Sequence, residues 1–290
     1  MTTEPRVHVF ETEQPPALSV ELSNGVINVV AGERSDTVVT LRPTDATRPQ
    51  DVAAAEGMVV EMVGGTVLVR DPRVRGLAWH LVGWKRSGSV IVTIEAPEGS
   101  SLRADTGVAD FRCEGALGDV DLKAGVGSAH VEQARSVRVR SGTGDVSVEE
   151  ASGRAELVTA GDMIVGTVAG DAEVKNLNGR TRIGRIGGSL RVRSANGEIV
   201  VEEAGGDVDV KTANGEIRLG QIVRGTATIQ TAMGAIEIGI REGSAAWLDA
   251  NTKYGRVNNE LMPAAEPVEP TETVRVHATT SFGDIRITRS

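Results

Sequence analysis

Charged side chains recur in this chain at a fixed interval, and their pairing decides what chemistry they can do. Asp121, Arg138, Glu156, Glu173, Arg191 and Asp209 occupy one recurring position, about 18 residues apart. Lys123, Arg140, Val158, Lys175, Arg193 and Lys211 occupy the position two residues later. Carboxylates clustered on one face would suit general acid–base cleavage of a polysaccharide. Here acids alternate with cations from one repeat to the next, which is the pattern of cross-strand charge pairing on a solvated face. The second set reads as a basic column of Lys123, Arg140, Lys175, Arg193 and Lys211 that would meet a regularly charged polymer or an anionic lipid. Its acidic neighbours partly neutralise it.

Other chemistries find less support. His8, His80, His130 and His277 fall at unrelated positions of the repeat, and no Ser/His/Asp arrangement or HExxH motif is present. Gly187-Gly188 and Gly205-Gly206 are not followed by GK[ST] or by a helical pattern, so neither phosphate-loop nor dinucleotide-binding readings hold. The pairs Glu149/Glu150 and Glu202/Glu203 sit at equivalent turns, but the Asp-bearing nonapeptide of calcium-binding β-rolls is absent. The lone Cys113 has no internal disulfide partner, and no CxxC or His/Cys cluster points to a metal. The expectation is a non-enzyme with no cofactor and no metal.

One segment breaks the pattern. Residues 70–88, RDPRVRGLAWHLVGWKRSG, hold Trp79 and Trp84, two of three tryptophans, beside Arg70, Arg73, Arg75, Lys85 and Arg86. Rings flanked by cations suit membrane interfaces and protein-binding hot spots. They equally suit a loop folded over an open edge. Arg73, Arg75, Trp79, Trp84, Lys85 and Arg86 are therefore the candidate partner- or membrane-binding residues, with a cap as the competing assignment.

The elements that must position these groups follow from the repeat. Glycines at 107, 127, 144, 161, 179, 197, 215 and 234 recur at a mean spacing of about 18 residues. Around each, positions −7, −5, −3, +2 and +4 are apolar or small, while −6, −4, +1 and +3 are charged or polar. At Gly215 the first set is Val208, Val210, Thr212, Ile217 and Leu219. Period-two alternation on both sides of a turn means two short strands per unit. Asn-Gly at 178–179, 196–197 and 214–215 supplies the turn, and a second turn follows at Gly170, Gly188, Gly206 and Gly225. A constant, self-similar unit of this kind stacks as coils of a β-solenoid. Val192, Val210 and Ile229 should then share one interior column, and Ile199, Ile217 and Ile236 another.

Composition agrees with a narrow interior. Only 7 of 290 residues are aromatic, against 35 glycines. The formal net charge of −9 argues against nucleic-acid binding. The N-terminal MTTEPRVHVFETEQPP lacks a basic stretch followed by an apolar one, and no apolar run is long enough to span a bilayer, so the expectation is a cytoplasmic protein.

The SANGEI/TANGEI frame at 194–199 and 212–217, with SVIVTIEAPEGSSLRADTG at 89–107, resembles the bacterial β-strand-repeat family labelled "putative adhesin". The resemblance covers about residues 15–290. It implies the repeat fold and a surface role, and brings no catalytic motif.

The sequence thus predicts an all-β, single-domain β-solenoid (β-helix) over 1–290, with about 18 residues and two main strands per coil. Residues 1–100 form irregular coils with insertions, including a short helix within the Ala-rich 45–57. Residues 101–259 form regular coils, and 260–290 a Pro/Glu-rich loop and final strands. Residues 1–16 with 45–57 would cover one end and 260–290 the other, with acidic Glu260, Glu266, Glu269 and Glu272 limiting assembly to discrete oligomers. The function expected is a non-catalytic interaction or scaffold protein, presenting flat strand faces to a protein partner or to itself. Alternatives are peripheral membrane attachment through 70–88 and a carbohydrate-active solenoid enzyme.

Overall fold

The computed structural model describes residues 4–12, 14–72, 88–261 and 272–290. It is an all-β solenoid with one short helix, and it divides into two compact units, Met1–Asp145 and Val146–Ser290.

The first unit contains β1 (Arg6–Glu11), β2 (Ala17–Gly32), β3 (Asp36–Pro43), α1 (Pro49–Gly57), β4 (Val59–Val63), β5 (Thr66–Arg70), β6 (Val90–Pro97), β7 (Ser101–Val126) and β8 (Ala129–Thr143). The strand β2 runs through two walls without a break. Its first half pairs in parallel with β5 and the start of β7, and its second half with β6 and the continuation of β7. Leu18, Val20, Leu22, Ile27 and Val29 alternate inward and are buried. Parallel stacking continues from β7 to β8. At the margins the pairing turns antiparallel, β1 to β3, β3 to β6 and β4 to β5.

The Ala-rich segment becomes α1, laid against β3 and β6 with Ala54 and Ala55 buried. Buried Asp51 ties it down by accepting the backbone N–H of Ser89 at 3.0 Å and of Asp45 at 3.2 Å. At its other end the guanidinium of Arg6 donates to the carbonyls of Ala55, Glu56 and Met58 at 2.7 to 3.2 Å. These include the terminal carbonyls that a helix leaves without internal donors.

The second unit is more regular. Its strands are β9 (Val146–Ala151), β10 (Ala155–Thr159), β11 (Met163–Val168), β12 (Ala172–Asn178), β13 (Thr181–Ile186), β14 (Leu190–Asn196), β15 (Ile199–Ala204), β16 (Val208–Asn214) and β17 (Ile217–Ile222). They continue with β18 (Gly225–Met233), β19 (Ile236–Ile240), β20 (Ala245–Tyr254), β21 (Val257–Asn259), β22 (Thr273–Phe282) and β23 (Ile285–Arg289). Even-numbered strands stack in parallel as one wall and odd-numbered strands as the other. Val192, Val210 and Ile229 are register partners in one interior column, and Ile199, Ile217 and Ile236 in the other; all six are 0 % exposed.

Two devices hold the turns in line. Asn214 Nδ2 donates to Asn196 Oδ1, and Asn196 Nδ2 to Asn178 Oδ1, each at 2.9 Å, making an amide ladder on the outer corner. The small residue three places before each glycine does more than fit. Ser141, Thr231, Thr252 and Thr280 each donate a hydroxyl to the glycine carbonyl of the adjacent coil, at 2.8 to 3.2 Å. Side chain thus bonds backbone at the corner, where ladder bonding is interrupted.

The last coils are stacked out of chain order. β22 and β23 do not cover an end; they insert between β18/β19 and β20/β21, pairing in parallel with both. The strands of 260–290 thus do not close this end as expected: 262–271 lie outside the described residues, and among the described residues β20 and β21 lie outermost. Their inward residues show the consequence. Val257 continues the buried column of Ile236 and Ile285 but is 43 % exposed.

Candidate functional site

The basic column appears as two separate runs. Lys123 and Arg140 are register partners between β7 and β8, and Lys175, Arg193 and Lys211 are successive partners on β12, β14 and β16. Alternation within each strand sends all five outward, as the repeat requires. The charges do not stand as a bare cationic strip. Lys123 Nζ meets Asp105 at 3.0 Å and Lys175 Nζ meets Glu173 at 2.8 Å. Arg193 binds Asp209, whose Oδ2 also lies 3.7 Å from Arg191. Lys211 is the member of the column with no ion pair among the described residues.

Of the basic column only Lys211 lines a shallow groove of about 430 Å³ on the even-numbered wall, with Asp171, Glu173, Arg191 and Asp209 along it. Lys175 holds the Glu173 carboxyl below its ordinary range, first by hydrogen bonding and then by charge attraction. A carboxylate stabilised in its charged form is a poor proton donor near neutrality. Asp209 Oδ1 is shielded from solvent with no hydrogen-bond partner. Among the described residues, no group of three or more His, Cys, Asp or Glu side chains is placed to hold a metal ion.

Arg73, Arg75, Trp79, Trp84, Lys85 and Arg86 lie outside the described residues.

A second surface was not singled out by the sequence. Asn178, Asn196 and Asn214 occupy the outer corner of three coils, and the same register position continues as Met233, Phe282 and Tyr254. Amide bonding thus gives way to an apolar column, with Met233 53 %, Phe282 52 % and Tyr254 67 % exposed. The Phe282 and Tyr254 rings stack, centroids 4.8 Å apart and planes within 10°. On the flat face of the same coils, exposed Trp247 borders a hollow of about 360 Å³ with Asp249, Arg275 and His277. His277 Nδ1 and Asp249 Oδ2 are 3.3 Å apart. The available signal was the residue before each glycine, which changes from Asn at 178, 196 and 214 to Met233, Tyr254 and Phe282.

No helix among the described residues is long and apolar enough to cross a membrane. No curated protein matches the chain significantly. Solved structures similar to it include a "putative lipid binding protein" of Parabacteroides distasonis, at 11 % identity and TM-score 0.42, covering 99 % of this chain and 96 % of that one. A "putative adhesin" of Bacteroides fragilis shows 10 % identity and TM-score 0.36, covering 100 % and 98 %. A "putative cell adhesion protein" of Clostridium sporogenes shows 10 % identity and TM-score 0.28, covering 99 % and 100 %. The Toastrack DUF4097 family model matches residues 17–288, nearly the whole repeat, and the chain belongs to that family.

Proposed function

We propose that the chain is a non-catalytic interaction protein, and that it contacts a protein partner through the corner formed by Met233, Phe282 and Tyr254. The observation that carries this reading is the exposed, stacked column itself. Coils with Asn178, Asn196 and Asn214 show that the turn accepts an amide, which bonds its neighbours and costs no exposed apolar area. Three large apolar side chains at the same position leave hydrophobic surface in line, and clustered rings rather than scattered ones mark contact sites. The groove chemistry supports the non-catalytic part. Glu173 and Asp209, two of the carboxylates that line it, are each held by a cation, an arrangement suited to solubility and register rather than to proton transfer.

The test replaces the column with what the preceding coils carry: Met233→Asn, Phe282→Asn and Tyr254→Asn together. The variant should melt close to the wild type and lose cross-linked partners that the wild type retains in native lysate. An identical set of cross-linked species from both proteins would refute the reading.

A further inference from the structure

The outermost coil of the second unit ends in a strand that nothing covers among the described residues. β20 pairs with β22 on one side only, and its ten residues make no hydrogen bond on the other. The inward residues Ala246, Leu248 and Ala250, which sit in fully buried columns one coil earlier, are only half-buried here. An unpaired edge with part of the core open beside it is a template for another strand.

The geometry of β20 restricts what that strand can be. Ala245 N–H donates to Glu272 O, so before the corner, where Tyr254 O accepts from Gly283 N–H, odd-numbered residues of β20 turn their backbone groups toward β22. Backbone direction alternates along a strand, so Ala246, Leu248, Ala250 and Thr252 present theirs to the free edge. The outward side chains are Trp247, Asp249, Asn251 and Lys253, all exposed. Asp249 and Lys253 lie symmetrically about Asn251, with opposite charge.

We infer that a second copy of this chain pairs with β20 antiparallel, edge to edge, about a two-fold axis at Asn251. In that register Ala250 faces Thr252 of the second copy in a hydrogen-bonded pair, using the free backbone groups. Asp249 faces Lys253, and Lys253 faces Asp249, in the non-hydrogen-bonded pairs where side chains approach most closely. Two reciprocal ion pairs result, and the inward residues of one copy meet those of the other. Moving the axis to Asp249 would bring two carboxylates together; moving it to Ala250 would set each aspartate against an asparagine. Charge complementarity selects the axis at Asn251. Such a contact is isologous and closes on itself, giving a dimer and not a filament.

The inference stands on the strand edge and not on the apolar corner, so Met233→Asn/Phe282→Asn, which leaves every residue of β20 unchanged, should still dimerise. The experiment is sedimentation velocity of the full chain over a wide concentration range at moderate salt. The wild type should show a monomer–dimer equilibrium. Asp249→Lys and Lys253→Asp, each alone, should weaken it about tenfold or more, because each sets like charges opposite. The double variant Asp249→Lys/Lys253→Asp should restore it. Ala250→Pro, which removes an N–H aimed at the free edge, should abolish the dimer while the circular dichroism of the fold persists. A monomer at every concentration, or a dimer indifferent to the single reversals, would overturn the inference.

Discussion

Replacing Gly215 with alanine should destabilise the second unit by an amount that two sister substitutions can divide into its causes. Gly215 has φ +150°, and a Cβ built on it would sit 2.0 Å from the carbonyl oxygen of Gly197 and 2.7 Å from that carbon. Backbone strain at such a φ costs about 1–3 kcal/mol for a residue with a side chain. Relieving the overlap requires adjacent coils to part, which as overpacking costs about 1–3 kcal/mol more. The sum is roughly 2–6 kcal/mol. Gly243 has φ +82° but nothing within 4 Å of a built Cβ, so Gly243→Ala isolates the conformational part, about 1 kcal/mol. Gly220 has no positive φ, but its Cβ would lie 2.7 Å from the oxygen of Glu202, so Gly220→Ala isolates a milder contact, about 1–2 kcal/mol. With about 2–4 °C of melting temperature per kcal/mol for a unit of this size, Gly215→Ala should melt roughly 10 °C below wild type and well below both controls. Thermal melts by circular dichroism read the series. If Gly215→Ala melts with Gly243→Ala, the coils yield freely and the close-stacking explanation of the repeated glycine is wrong.

Thr231→Val should cost about 1 kcal/mol in urea unfolding, because it removes the hydroxyl donated to the Gly215 carbonyl at 3.2 Å; a neutral effect would show that this bond does not hold the corner. Cys113 is fully buried and its thiol is pushed up to about 12 by desolvation, so a thiol reagent at neutral pH should label it only after urea unfolding. Equal labelling rates with and without urea would contradict that burial. Glu173 has its folded carboxyl pKa depressed by Lys175, so its stabilisation is present above the ordinary value of 4.5 and is lost as pH falls through the folded value. Lys175→Met should therefore lower the urea midpoint more at pH 6 than at about pH 3; a loss equal at both would show that the pair contributes nothing through charge.

The repeat was legible because three independent signals share one period. Glycine spacing, inward alternation and Asn-Gly turns each recur together, which is why Val192, Val210 and Ile229 fall into one column as expected. The order of the last coils was not legible. Leu248, Ala250 and Thr252 match the inward pattern as well as Val276, Ala278 and Thr280 do, and alternation says which face a residue takes, not which strand lies beside it. The hint lay in size. Ala246 and Ala250 fill little of the interior, and Val257, Asn258 and Asn259 give a short final strand, features of a coil packed on one side only.

The site was harder to read, because an aromatic ring means different things in a narrow fold and in a wide one. Phe111 is buried where its register partner is Ala129, a small residue that yields the space. Where coil neighbours are Val and Ile on both sides, the interior has no such room, and rings are turned out. Trp79 and Trp84 stand out by their cationic surroundings, whereas Tyr254 and Phe282 are 28 residues apart in the chain and share only their place before a glycine. They become one surface only because β22 is inserted beside β20. The same insertion leaves β20 outermost, so the stacked corner and the free edge with Asp249 and Lys253 arise from a single topological step. In chain order, β22 would have covered that edge.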